Sequence, residues 1–173
     1  ASIREQSFAD FELIIINDGS TDDSTAILKK INDQRIRIIE HHKNSGIVTC
    51  LNDGLAAARG EYIARIDADD LMFPGRLGRQ SEFLDQHLDI AIVGTYAETM
   101  DENGDLLGYY DYPPLTDRAI RQRLLTHNPF IHPSVMIRKD ALIKASGYKQ
   151  VFNHVEDYAL WTRLLRYGRG ANL

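Results

Sequence analysis

Three carboxylates occupy four positions, Asp67-Ala-Asp69-Asp70, directly after the apolar segment Tyr62 to Ile66. At about 5 Å and an effective dielectric of about 20, each like-charge pair costs roughly 3 kcal/mol, and in open water below about 1 kcal/mol. A solvated turn removes that cost, and so does a hard divalent cation. Mg2+ and Mn2+ prefer oxygen ligands and often take one or two carboxylates together with substrate phosphates. A second acidic turn, Asn17-Asp18, ends another apolar run, Leu13 to Ile16. A third acidic pair, Glu156-Asp157, opens an amphipathic stretch in which Leu160, Trp161, Leu164 and Leu165 are apolar. Carboxylates are favoured in a first helical turn by the helix dipole, and a carboxylate within reach of a hydroxyl is a candidate general base.

Each of these residues also has a plain structural explanation. Asp18 would shape a turn and cap a helix, and Glu156 and Asp157 would be ordinary first-turn acids. His132, between Ile131 and Pro133, reads as a satisfied buried histidine as readily as a site residue. Trp161 reads first as core, with a ligand-facing platform as the alternative. His41 and His42 are adjacent in sequence, a poor arrangement for gripping one metal ion. The turn from Asp101 to Asp105 has Leu106 where a calcium loop needs glycine, so it reads as a plain turn. Cys50, the lone cysteine, excludes an internal disulfide and reads as a small buried residue.

The elements that must position these groups follow from apolar periodicity. Leu13 to Ile16 is a continuous apolar run, typical of a strand covered on both faces, and Asn17 to Ser20 is a turn signal. Ser20 or Thr21 is expected to cap a helix with Ile27, Leu28 and Ile31 on its buried stripe. Arg35 to Ile39 predicts a strand, and Ile47 to Arg59 a helix with Leu51, Leu55 and Ala58 inward and Gly60 as its stop. Tyr62 to Ile66 is a further strand, Pro74 opens a helix to about His87, and Ile90 to Tyr96 is a strand. Three strand–helix alternations imply a doubly wound parallel sheet with right-handed crossovers. Beyond it come a hairpin-like turn at Asp101 to Asp105, a helix over Thr116 to His127, and a strand over Ser134 to Arg138. Helices over Lys139 to Ser146 and Asp157 to Tyr167 complete the reading. No repeat or linker divides the 173 residues, so one domain is expected, with 1–96 and 97–173 as its two halves.

A net charge of -5 argues against a nucleic-acid surface, which needs clustered Lys and Arg. Arg118, Arg121 and Arg123 read as a solvated helix face. No apolar run approaches the roughly 20 residues that span a bilayer.

In open parallel sheets, ligands sit at the carboxyl ends of strands, where both acidic turns fall. The segments "DFELIIINDGSTDDS" (10–24), "NSGIVTCLNDGLAAARGEYIARIDADD" (44–70), "HPSVMIR" (132–138) and "EDYALWTRLL" (156–165), in this order, resemble the family-2 glycosyltransferases. Those are inverting enzymes of GT-A fold. The resemblance implies an α/β fold with a doubly wound, mostly parallel sheet flanked by helices, here without the family's first strand. A truncated domain, or an open edge covered by another chain such as a second copy, is therefore expected. It implies a nucleotide-diphospho-sugar donor, UDP- or dTDP-linked, a glycan or lipid-linked acceptor, and Mn2+ or Mg2+. It would make 1–96 the nucleotide-sugar-binding half and 97–173 the acceptor-side half. Asp18 would accept a hydrogen bond from the base. Asp67, Asp69 and Asp70 would form the family's DxD-type site, with Asp67 and Asp69 toward the nucleotide and Asp69 and Asp70 touching ribose and metal. The choice of metal ligand among the three varies between members. Asp157 would be the general base, with Glu156 supporting it, and His132 and Trp161 would lie on the acceptor side. The implied reaction is one in-line displacement with inversion, in polysaccharide or glycoconjugate synthesis. The absence of a Gln-x-x-Arg-Trp motif after Asp157 favours transfer of single sugars. The implied setting is cytoplasmic, with a peripheral position at the inner membrane face as a further option. A sugar-phosphate nucleotidyltransferase and a non-catalytic fragment serving assembly are the alternatives.

Overall fold

The computed structural model describes residues 2–173. Strand β1 (Leu13–Asn17) pairs in parallel with β2 (Ile36–Glu40), Ile15 facing Ile38. The short helix α1 (Ser24–Leu28) connects them, and α2 (Ile47–Ala57) follows β2. Helix α1 departs from expectation. Its N-cap is Asp23, no side chain caps it, and Ile27 is 60 % exposed, because this five-residue helix packs no buried stripe.

A second, four-stranded sheet has the order β3 (Tyr62–Ala64), β7 (Met136–Arg138), β4 (Ile90–Gly94), β8 (Arg169–Asn172). Strand β7 runs antiparallel to both β3 and β4, whereas β4 and β8 are parallel. The fold is thus the expected α/β class with parallel elements, but one reversed strand sits inside its larger sheet. Strand β8 has no sequence signal. Arg169-Gly-Ala-Asn172 contains no β-branched residue, and its strand state comes from pairing with β4. The expected hairpin is present as β5 (Glu98–Met100) and β6 (Leu106–Tyr109), closed by Gly104 N–H to the Asp101 carbonyl at 3.0 Å.

Two apolar layers sandwich the four-stranded sheet. One contains Ile92, Ile137, Leu142, Leu160, Trp161 and Leu164, drawn partly from α5 (Lys139–Lys144) and α6 (Glu156–Leu164). Ile120 of α4 (Asp117–Arg123) joins it; Thr116 caps that helix by accepting from Ala119 N–H. The other contains Leu77 and Leu84 of α3 (Arg76–Gln86) with Ile90, Val93 and Met136. Alternation along β7 sends Met136 to one layer and Ile137 to the other, as the pleat requires. Each fully buried Leu or Ile contributes about 1.5–3 kcal/mol relative to exposure.

Among the described residues, β1 and β3 each have a hydrogen-bonded strand on one side only. Leu13 to Ile16 and Tyr62 to Ala64 accordingly remain half-buried, although a continuous apolar run suits burial on both faces. Helix α2 spans the break: it packs on β1, and its Leu51 and Leu55 reach the core layer that Ile63 also joins. The expected open edge is therefore present.

Candidate active site

Asp18 stands just beyond β1 in a turn built by its neighbours. Asn17 is buried; its Oδ1 accepts from Ser20 N–H at 3.0 Å and its Nδ2 donates to Thr25 Oγ1 at 2.9 Å. Gly19, at φ +72°, lies so close to the loop after β2 that a Cβ there would meet the Lys43 carbonyl carbon at 2.7 Å. This approach brings Ser45 N–H to Asp18 Oδ1 at 2.8 Å and Gly46 N–H to Oδ2 at 2.9 Å. His41 Nδ1 adds a contact of 2.7 Å to Oδ1, and its Nε2 lies 3.0 Å from Asp53 Oδ2. Burial would raise the Asp18 pKa, but the His41 ring and the two N–H groups outweigh it and bring it to about 2.

Asp18, His41 and Cys50 place one ligand atom each within 4.8 Å of one another. Their chemistry is that of a hydrogen-bond cluster. Both ring nitrogens of His41 face carboxylates, and burial with the nearby Asp18 and Asp53 pushes the Cys50 thiol up to about 11, away from the thiolate that a metal requires.

The acidic loop after β3 differs. Arg65 forms an ion pair with Asp67, and Asp70 N–H donates to the Asp67 carbonyl at 3.3 Å. Asp69 is exposed and Asp70 half-buried. Burial first, then the charges of Asp67 and Asp69, push the Asp70 pKa up against the pull of Arg65. Asp70 is thus under like-charge pressure that a cation would relieve, and the loop offers the hard oxygen donors that Mg2+ or Mn2+ takes. Beneath it Arg76 donates to the Arg65 carbonyl at 2.9 Å and the Val135 carbonyl at 3.1 Å, anchoring the loop to β7; burial depresses its pKa to about 10.

Asp157 lies in the first turn of α6. Its Oδ1 accepts from Tyr158 N–H at 2.6 Å and its Oδ2 from Asn128 Nδ2 at 2.6 Å. Glu156 is buried, with Oε2 lacking a hydrogen-bond partner among the described residues. His132 begins a 3-10 turn, His132–Ser134, and its Nε2 sits 3.0 Å from the Tyr148 hydroxyl. Burial, and secondarily Arg65, hold the His132 ring pKa down at about 3, so it is neutral at ordinary pH. Burial also raises the Tyr148 pKa, which Arg65 lowers and which Asp157 and Glu156 raise further. Trp161 requires a correction: it is fully buried, 5.5 Å from Phe130 and 5.7 Å from His132 between ring centroids, so it supports the site from the core and offers no face to a sugar.

Asp70, His132 and Tyr148 all feel Arg65, and Tyr148 also feels Asp157 and Glu156. Sequence reasoning brought out the acids and missed the partners Arg65, Arg76, His41 and Asn128. Arg65 and Arg76 flank the acidic loop in sequence, which is a signal for them, whereas Asn128 lies 29 residues from Asp157 and carries none. Two clefts of about 490 Å3 lie elsewhere, at Glu61, Arg138 and Lys139 and at Asn52 and Ser146; neither is lined by Asp18, Asp70 or Asp157.

Comparison with known proteins gives the context. The family profile described as Glycosyl transferase family 2 matches residues 1–146. EpsE of Bacillus subtilis, a protein named as a glycosyltransferase, is 37% identical over 178 residues, covering 99% of this chain and 63% of its own. WbnJ of Escherichia coli, named as an O-antigen biosynthesis glycosyltransferase, is 36% identical, covering 95% of this chain and 64% of its own. The chain thus spans somewhat under two thirds of the length of these relatives. The mannosyltransferase PcManGT of Pyrobaculum calidifontis, solved in complex with GDP-Man and Mn2+, shares the fold. Its TM-score is 0.72 at 17% identity, covering 99% of this chain and 48% of that one.

Proposed function

Because this chain belongs to glycosyl transferase family 2, we propose that it carries the donor site and general base of an enzyme that moves a sugar from a nucleotide-diphospho-sugar to an acceptor hydroxyl. The products are a glycan or lipid-linked glycoconjugate of inverted anomeric configuration and a free nucleoside diphosphate. The pairing of β3 with β7 carries the reading, because it sets the Arg65–Asp70 loop beside the His132–Ser134 turn, and His132 packs on Trp161 of the helix that begins with Glu156 and Asp157.

Asp157 Oδ2 takes the proton of the acceptor hydroxyl while that oxygen bonds to the anomeric carbon. The bond from that carbon to the diphosphate oxygen breaks on the opposite face, and the electron pair leaves with the nucleoside diphosphate. Glu156, buried next to Asp157 at the start of the helix, would support the position of the base. Asp69 and Asp70 would hold a divalent cation, Mn2+ or Mg2+, which when bound supplies Lewis-acid neutralisation of the diphosphate charge. Asp67, already engaged by Arg65, would orient the ribose end of the loop.

Asp18 recognises the base. Its Oδ1 accepts from His41 and Ser45 N–H and its Oδ2 from Gly46 N–H, with the Cys50 thiol also on the carboxylate, so a base N–H would take the one place held by that weak donor. Uracil and thymine offer one N–H, at N3, whereas guanine offers an adjacent N–H and NH2 that match both carboxylate oxygens together. UDP- and dTDP-sugars therefore fit better than GDP-sugars.

Nucleoside diphosphate release from UDP-glucose, UDP-galactose, UDP-N-acetylglucosamine and dTDP-glucose, with water as acceptor, tests the assignment. Asp157→Asn is expected to lower turnover by about 10²–10⁴-fold and to leave UDP binding within about twofold, a binding change near 0.4 kcal/mol. Turnover equal to that of the native protein in Asp157→Asn would remove the base.

A further inference from the structure

We infer that Asn128 is the positioning residue for Asp157, fixing the carboxylate oxygen that takes the acceptor proton; this rests on the reading of Asp157 as the base. Asn128 Nδ2 donates to Asp157 Oδ2 at 2.6 Å, while Asn128 Oδ1 accepts from Phe130 N–H at 3.2 Å. A backbone N–H only donates, so it determines which end of the amide is oxygen. The end facing Asp157 is then NH2, which only donates. A donor paired with a carboxylate makes a charge-assisted bond, roughly twice as strong as a neutral one.

With Tyr158 N–H on Oδ1 and Asn128 on Oδ2, rotation of the Asp157 carboxylate about Cβ–Cγ is pinned from both sides. Each oxygen keeps a second lone pair. An incoming hydroxyl therefore meets a carboxylate already oriented, which spares the reaction that reorganisation.

The loop that holds Asn128 is itself braced from the core. Phe130 is 3 % exposed and packs edge-on against Trp161, which belongs to the same helix as Asp157. From β8, Asn172 Nδ2 donates to the Pro129 carbonyl at 3.2 Å and the Pro114 carbonyl at 2.7 Å. Base and positioning residue thus sit on one rigid unit, the arrangement a preorganised site needs.

Two substitutions separate positioning from plain loop support. Asn128→Asp is isosteric and keeps an oxygen for Phe130 N–H, but it loses the donor and sets a second carboxylate against Asp157. Asn128→Ala loses both bonds. If Asn128 only supports the loop, Asp is the milder change in melting temperature and in rate. If it positions the base, the Asp variant melts closer to the native protein than Ala does, yet turns over no faster. The expected fall in kcat for UDP-hexose turnover is about 10–100-fold in both, a part of what the base itself contributes, with donor KM within about twofold. UDP binding, measured by calorimetry on each variant, verifies that the site is folded. A kcat for Asn128→Asp above that of Asn128→Ala, or a KM that moves as far as kcat, overturns the inference. Asp157→Asn in the same assay distinguishes the failures. Turnover kept there sinks the base assignment. Turnover lost there but kept in Asn128→Asp sinks the positioning role alone.

Discussion

His41 stands between two carboxylates, and the geometry dictates its charge. To donate to Asp18 its Nδ1 must carry a proton, and its Nε2 then faces Asp53, which also only accepts. Both contacts are satisfied only by the imidazolium. The hydrogen bond to Asp18 accordingly raises the ring's pKa above its ordinary value, against a smaller effect of burial, with the charges of Asp18 and Asp53 adding to the rise. A group raised on folding stabilises fully below its unfolded pKa, about 6.5, and loses that contribution as pH climbs through the folded value. Asp18 works in the opposite sense: lowered to about 2, it contributes above its unfolded value and loses that contribution as pH falls toward 2. The melting temperature of the native protein relative to His41→Gln should therefore decline as pH rises above the unfolded value of about 6.5, as differential scanning fluorimetry would record. A difference independent of pH would mean a neutral ring. None of this was legible in the adjacent His41-His42 pair, which as a sequence argues only against a shared metal. Asp18, Asp70 and Asp157 were legible because the segments that hold them resemble the family's motifs; by position alone Asp18 and Asp157 are ordinary turn and first-turn acids. Asn128 was not legible, since its partner lies 29 residues away.

Turn chemistry and tertiary pairing decide what happens at the level of elements. The Asn17–Ser20 turn positions Asp18 through Gly19, where positive φ and the 2.7 Å approach to Lys43 exclude a side chain. Gly19→Ala should destabilise by about 1–3 kcal/mol and weaken UDP binding together, because the turn must retreat from Ser45 and Gly46. Chemical denaturation and calorimetry on one sample test this; unchanged UDP binding in a destabilised variant would separate the turn from the nucleotide. Helix α6 shows the other limit. Its apolar stripe at Leu160, Trp161 and Leu164 was readable from helical spacing, and all three are fully buried. Trp161→Ala should cost about 3–5 kcal/mol, the range for truncating a buried aromatic residue. Loss of transfer with full stability would instead return Trp161 to the acceptor. Strand β8 and the reversed β7 could not be read from local pattern. Position 170 holds glycine because Phe130 and Leu165 crowd the site where a Cβ would be, at 3.0 and 3.1 Å, and it is strand because β8 pairs with β4.

The whole molecule joins two hydrogen-bonded sheets through helix α2, with acidic turns following β1 in one and β3 in the other. The α/β class, the central open edge and the order of strands and helices through β4 followed from apolar runs and turn residues. The repulsion among Asp67, Asp69 and Asp70 was legible in their spacing, but the burial that adds to it and raises the Asp70 pKa followed only from packing. The central claim is that the acidic loop and the Asp157 corner form one site for a nucleoside diphosphate held with a divalent cation. Isothermal titration of UDP into the protein with and without Mn2+ tests it most directly, with Asp70→Ala as the paired variant. The account predicts UDP binding at least about tenfold tighter with Mn2+, about 1.4 kcal/mol, and loss of that gain in Asp70→Ala. Equal UDP affinity with and without Mn2+, or a Mn2+ effect that survives in Asp70→Ala, would contradict it.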